Sequence, residues 1–213
     1  MLCIIDYGLG NLGSIANMLK RLSVPNRITS SPDDIRNATK LILPGVGAFD
    51  AGMENLHRSG LVPVIEEQIA TRHIPVLGIC LGMQLMTKGS EEGKLPGLGW
   101  IDAWTKRFDF ADQEERLPIP HMAWCDVSVS RQCYLTKNLP PDSRYYFVHS
   151  YYVECVDPAD VVLMAYYGRP FVAGFARGNF AGFQFHPEKS HRFGMALLDN
   201  FVQQPTQALA DTE

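Results

Sequence analysis

The sequence predicts an α/β protein in which a mostly parallel central sheet, flanked by helices, carries an antiparallel extension. Three observations predict it. Before residue 80, short β-branched runs without polar alternation recur with helical patterns between them, as expected of strands buried on both faces and joined by right-handed crossovers. Residues 100–185 instead hold runs that alternate apolar and polar side chains. Glycine divides the chain in the same way: 13 of the 18 lie at or before Gly99 and none lies between Gly99 and Gly168.

Taken in order, LCIID at 2–6 reads as a first buried strand, and residues 11–22 place Leu12, Ile15, Met18, Leu19 and Leu22 at helical spacing. KLILP at 40–44 is a second strand, 61–70 a helix, and IPVLGI at 74–79 a third strand. The runs at 100–108, 123–129, 144–153 and 161–167 read as antiparallel additions. FVAGFARGNFAGFQF at 171–185 reads as a hairpin turning at Gly178-Asn179, a dipeptide suited to a two-residue turn. A closing helix over 190–202 gathers Phe193, Ala196, Leu197 and Phe201 on one face. Residues 1–202 are expected to form a single domain, and the polar, proline-bearing stretch 203–213 is expected to fray.

Composition narrows the function classes. At 213 residues, 46% hydrophobic and 20% charged, the chain is an ordinary folded protein. Its longest stretch free of Asp, Glu, Lys and Arg, 73–87, is broken by Pro75, Gly78 and Gly82 and falls short of the roughly 20 apolar residues of a membrane span. The opening MLCIIDYG has no basic leader, which argues against a secretory signal. A net charge of −4 leaves nothing to neutralise a phosphate backbone, so a small metabolite or a protein is the expected partner and nucleic acid is not. Five scattered cysteines without a C-x-x-C pair fit a reducing cytoplasm better than a disulfide framework or a zinc ribbon.

The sharpest chemical feature is G-I-C-L-G at 78–82, between a buried strand and a helical pattern. This is the setting of a nucleophile elbow: glycines on both sides relieve a tight turn, and the helix N-terminus favours a thiolate at Cys80. Taken alone, the segment suits a small buried hydrophobe equally well. A nucleophilic thiol needs a base and the base an orienting group. His186, at a strand end, is followed by Pro187 and Glu188, and an extended backbone would bring residues i and i+2 to one side. Alone, that tripeptide is more often a surface turn; together with Cys80 it lies where open α/β sheets place their sites. In PGVG at 44–47, glycines allow the N–H groups of Val46 or Gly47 to face a developing oxyanion. Gly8, Gly10 and Gly13 match G-x-G-x-x-G, but no acidic partner strand supports a dinucleotide site. His57 and His73 read as helix-surface residues, His191 as an early residue of the last helix, and Cys3 as core.

PGVGAF (44–49), GICLGMQLM (78–86) and QFHPEKS (184–190), in this order, resemble the three signature segments of the triad-type (class I) glutamine amidotransferases. DYGLGNLGS (6–14), PHMAW (120–124) and YYFVHSYY (145–152) are similar to the branch formed by glutaminase subunits of imidazole glycerol phosphate synthases, in histidine biosynthesis. The resemblance covers residues 2 to about 202. It implies that Cys80 is the nucleophile, His186 the base and acid, and Glu188 its orienter. It implies an oxyanion hole at Val46 and Leu81, glutamine contacts at Gly47, Gln84, Ser150 and Tyr151, and no cofactor or metal. It also implies a heterodimer with a (β/α)8-barrel cyclase subunit that receives the ammonia, with Asn11, His121, Met122 and Trp124 at the interface. Where members of the branch commonly read PHMGWN, this chain has Ala123 and Cys125, and Ala123 would be strained if the position needs a positive φ.

Two alternatives stay open at this point. One is the same fold serving another ammonia acceptor, against which the DYG and PHM segments argue. The other is a non-catalytic α/β protein with Cys80 as a sensor thiol, which would have no use for a His-Glu pair.

Overall fold

The computed structural model describes residues 1–111 and 117–204. The expected fraying tail lies outside the described residues from 205 onward, while Gln203 closes the last helix. In chain order the elements are β1 (Leu2–Ile5), α1 (Leu12–Arg21), β2 (Asn26–Thr29), α2 (Pro32–Arg36), β3 (Lys40–Gly45), α3 (Phe49–Arg58), α4 (Val62–Arg72), β4 (Val76–Cys80) and α5 (Leu81–Leu85). The second half adds β5 (Ala103–Arg107), β6 (His121–Val129), β7 (Arg144–His149), β8 (Tyr151–Cys155), β9 (Val161–Tyr167), β10 (Arg169–Arg177), β11 (Phe180–Phe183) and α6 (His191–Gln203).

One 11-stranded sheet runs β2-β1-β3-β4-β11-β10-β9-β6-β7, with β8 attached to β10 and β5 to β8. The pairs from β2 through β11 are parallel, and every pairing beyond is antiparallel, the two-part sheet that the change of pattern near residue 100 predicts. Strands β1, β3 and β4 are buried along their whole length. Their side chains alternate between two cores. Leu2, Ile4, Ile42, Leu77 and Ile79 meet Ile15 and Leu19 of α1 and Leu197 and Phe201 of α6. Cys3, Ile5, Leu41, Leu43 and Val76 meet Met53 and Leu56 of α3, Ile65 of α4 and Met83 of α5. A strand with helices on both faces can have no polar side, which is why these runs show no alternation in the sequence.

The hairpin turns at Gly178-Asn179 as expected, with Gly178 at φ 55°. The run expected as one strand over 144–153 is two. β7 pairs with β6 while β8 pairs with β5 and β10, so the chain changes partners at Ser150. Three elements have no counterpart in the sequence reading: β2 and α2, which are four and five residues long, and α3. The strain expected at Ala123 does not arise, because Ala123 lies within β6 and is not among the residues with positive φ.

Helix α5 lies directly on the ends of β3 and β4, a closeness set by glycine. A Cβ on Gly82 would stand 1.8 Å from the Leu43 carbonyl oxygen, and one on Gly78 would stand 2.7 Å from backbone atoms of Met83. We expect Gly82→Ala to lower stability by about 3 kcal/mol or more, since the clash is with backbone. Gly13→Ala, in α1 with nothing within 4 Å, should stabilise by under about 1 kcal/mol. Urea unfolding of both variants checks this, and an unchanged midpoint for Gly82→Ala would contradict the packing described.

Candidate functional site

Cys80 is the last residue of β4 and immediately precedes α5. Its backbone, at φ 54° and ψ −112°, lies where non-glycine residues rarely go, at a cost of order 1–3 kcal/mol. The neighbours leave it no alternative. Parallel pairing sets Cys80 opposite Gly45 at the end of β3, while Gly82 presses α5 onto that strand. The side chain is 7% exposed and opens on a cavity of about 290 Å³.

Val46, Gly47, Cys80, Leu81, Gln84, Ser150, Tyr151 and His186 all line that cavity, together with Glu92, Pro120, Val148 and His149. The fold thus gathers the eight expected residues from four separate stretches, the turn after β3, the elbow with α5, the Ser150 break between β7 and β8, and the segment after β11, while Glu92 and Pro120 reach the cavity from two more. The Tyr7 hydroxyl donates to the Pro44 carbonyl at 2.7 Å, which ties the turn at Val46 to the end of β1. Gly47, at φ 99°, is exposed, and a Cβ there would meet nothing within 4 Å.

His186 and Glu188 meet as the sequence suggests but by another route. The backbone between them is a single 3-10 turn over Pro187–Lys189 rather than extended chain, and Ser190 Oγ donates to the His186 carbonyl at 2.7 Å. His186 Nδ1 lies 2.7 Å from Glu188 Oε1, with the two side chains 2% and 1% exposed. Because Nδ1 is engaged there, Nε2 is the nitrogen left for Cys80. Burial opposes charge on the imidazole, but its interactions with Cys80 and Glu188 outweigh that and raise its pKa to about 10. Glu188 feels the reverse balance: burial pushes its carboxyl up, while the bonds from His186 and Asn11 bring it below the usual carboxylate range.

Asn11 and His121 both find hydrogen-bond partners within this chain. Asn11 Nδ2 donates to Glu188 Oε1 at 2.9 Å, so its side chain serves the His-Glu pair. Close packing explains Gly10 beside it, since a Cβ there would stand 2.9 Å from the Pro44 side chain. His121 is 1% exposed, because its ring stacks on Tyr167 at 4.0 Å beneath β6. Met122 and Trp124, on the opposite phase of the same strand, are 60% and 41% exposed.

Three polar residues of the pocket region carry no expectation from the sequence. Gln184, in the QFHPEKS segment, sets its Nε2 4.0 Å from the Cys80 sulfur and accepts from Gln84 Nε2 at 3.0 Å through its Oε1. His149 lines the cavity one residue before Ser150. Glu92 lines it from a loop whose sequence carries no periodic signal, and its Oε2 accepts from the Phe49 N–H at 2.9 Å. Cys3, Cys125, Cys133 and Cys155 stand outside the pocket lining as free thiols.

The described residues contain no helix long and apolar enough to cross a membrane. The family model for class-I glutamine amidotransferases matches residues 3–204. The chain is 51% identical over 203 residues to imidazole glycerol phosphate synthase subunit HisH 2 of Pseudomonas aeruginosa, covering 95% of this chain and 99% of that one. It is 48% identical over 204 residues to the subunit HisH 2 of Methanococcus maripaludis, covering 96% and 100%. Among solved structures it resembles PurLQS from Thermotoga maritima, with TM-score 0.69 at 18% identity over 94% of this chain and 96% of that one. A glutamine amidotransferase, also from Thermotoga maritima, gives TM-score 0.63 at 20% identity over 94% and 80%. These last two likenesses speak for the fold alone, whereas the sequence matches establish kinship: the chain belongs to the class I glutamine amidotransferases, in the branch of the imidazole glycerol phosphate synthase HisH subunits.

Proposed function

We propose that this chain is the glutaminase subunit of an imidazole glycerol phosphate synthase, a cytoplasmic enzyme of histidine biosynthesis. It hydrolyses glutamine at Cys80 and passes ammonia to a cyclase subunit. The observation that carries the reading is the meeting, in one cavity, of a cysteine on a strained elbow with a histidine whose far nitrogen is held by a buried carboxylate.

The chemistry follows from that geometry. The Cys80 sulfur, its proton passed to His186 Nε2, attacks the side-chain amide carbon of glutamine. The carbonyl oxygen takes negative charge in the tetrahedral intermediate, where the N–H groups at Val46 and Leu81 receive it; the first N–H groups of a helix have no acceptor inside it. The carbon–nitrogen bond then breaks, His186 gives its proton to the leaving nitrogen, and ammonia departs from a glutamyl thioester. Water, deprotonated by the now neutral His186, attacks the thioester carbon; the carbon–sulfur bond breaks, glutamate leaves, and the proton on His186 is again shared with the freed sulfur, as at the start. Glu188 keeps Nε2 aimed at the sulfur throughout, and Asn11 keeps Glu188 in place. Gly47, Gln84, Ser150 and Tyr151 contact the glutamine. Glu92, the one carboxylate among the described lining residues, suits its α-ammonium group.

The ammonia acceptor is a (β/α)8-barrel partner in a heterodimer, which joins ammonia to a phosphoribulosyl formimino intermediate. Met122 and Trp124, large apolar side chains left in solvent by this chain alone, are the residues we assign to that contact. The reading makes the isolated chain nearly idle, because hydrolysis without an acceptor wastes glutamine, and the peptide at Gly45-Val46 is the element whose rotation would present or withdraw an oxyanion donor.

Cys80→Ala should lose at least about a thousandfold in glutamate release while keeping the wild-type circular dichroism spectrum. Undiminished release would overturn the assignment. The pH profile follows from the sign of the His186 shift. An imidazolium whose pKa is raised from the ordinary 6.5 to about 10 remains available as an acid through neutral pH and is lost as pH rises through about 10. Glutaminase activity of the complex should therefore fall on that alkaline limb. In Glu188→Gln, which lacks the charge that favours the imidazolium, the limb should move to lower pH, as a pH–rate profile of both proteins would reveal. Glutamate release by the lone chain should rise at least about tenfold when a cyclase subunit with bound nucleotide is added; equal rates would contradict the coupling.

A further inference from the structure

Hydrogen-bond directions around the cavity can be assigned atom by atom. His149 Nδ1 lies 2.7 Å from the Tyr151 carbonyl oxygen, and since a carbonyl only accepts, Nδ1 carries the hydrogen. Burial holds His149 neutral, so its Nε2 is bare and can only accept. His121 Nδ1, 3.0 Å away, must therefore donate to it. The same Tyr151 carbonyl accepts from Gln84 Nε2 at 3.2 Å. The second hydrogen of that amide goes to Gln184 Oε1, which turns Gln184 Nε2 toward the Cys80 sulfur. From His121 to the nucleophile, the bonded groups form one unbroken and oriented series.

We propose that His121 and His149 are positioning residues: two neutral imidazoles, both protonated at Nδ1, that lock the Tyr151 carbonyl and through it the Gln84–Gln184 amide pair facing Cys80. The reading of the cavity as a glutamine site underlies this role. Two features separate it from simple core packing. The residues are already direct register partners across β6 and β7, so the strands do not need a side-chain bond to stay aligned. Polar rings among Phe147, Phe171 and Tyr167 also cost desolvation that an apolar residue would avoid, and the bonds made here are what offsets it. Fixing one carbonyl matters because Gln84 takes its direction from it. Were the Ser150–Tyr151 segment to drift, a cavity wall and both amides would move together.

The test has two arms. In the unmodified full-length chain at pH 7, imidazole 15N shifts should report the neutral Nδ1–H tautomer for both His121 and His149; an Nε2–H tautomer or an imidazolium at either overturns the proposal. In the complex with its cyclase partner, His121→Phe removes the donor, whereas His121→Asn keeps an N–H near the position of Nδ1. His121→Phe should raise KM for glutamine about five- to tenfold, the effect of one lost buried hydrogen bond, with kcat within about twofold. His121→Asn should stay within about twofold of the wild-type KM. Equal KM shifts in the two variants, or none in folded His121→Phe, overturn the proposal, and if His121→Phe does not fold, the tautomers of the unmodified chain decide. Failure of the unmodified complex to release glutamate would instead sink the glutaminase reading, leaving the tautomer result to stand on its own.

Discussion

The structure depends on the backbone contact between the ends of β3 and β4 and the start of α5. Cys80 can hold φ 54° because Gly45 stands opposite it and Gly82 lets α5 settle on β3, where a single Cβ would reach to 1.8 Å of a carbonyl oxygen. Strain of this kind persists only when the surroundings over-determine it. The same contact brings the turn after β3 beside the elbow, so that Val46, Gly47 and Leu81 border one cavity with the sulfur. Parallel pairing of β4 with β11 then fixes where the chain emerges toward His186. The proposed nucleophile, oxyanion donors and base are consequences of one packing arrangement.

Around this frame the protein puts three histidines into opposite states. His186 is buried, yet Glu188 and Cys80 raise its pKa to about 10. His121 and His149 are buried against aromatic rings, with each other and a carbonyl for partners, and their pKa values are pushed down to about 4 and about 3. Residue type is the same and depth is similar; what differs is whether a negative charge lies in reach. A proton is thus held where the proposed reaction needs one and kept away from the rings that only orient.

Much of this is legible in the sequence, and the limits have physical causes. The buried parallel strands announce themselves because burial on both faces removes polar residues, and the elbow announces itself because its turn requires glycine. Short elements such as β2 and α2 span too few residues to show a period. The split at Ser150 is invisible because β7 and β8 are both extended and only their partners differ. The partners that Asn11 and His121 find inside the chain are not legible locally, because they depend on the phase of β6 and on a contact between Asn11 and Glu188 spanning 177 positions. Gln184 gave no local signal, since its role rests on Gln84, a hundred residues away. Glu92 is positioned by a bond to Phe49 at the start of α3.

In the proposed reaction a glutamyl group passes through the sulfur of Cys80. The most direct measurement is mass spectrometry of the complex, acid-quenched during turnover with glutamine and digested to peptides. A glutamyl adduct is expected on the peptide containing Cys80 and on no other cysteine-bearing peptide. Glutamate accumulating with Cys80 unmodified at every quench time, or an adduct on another residue, would contradict it.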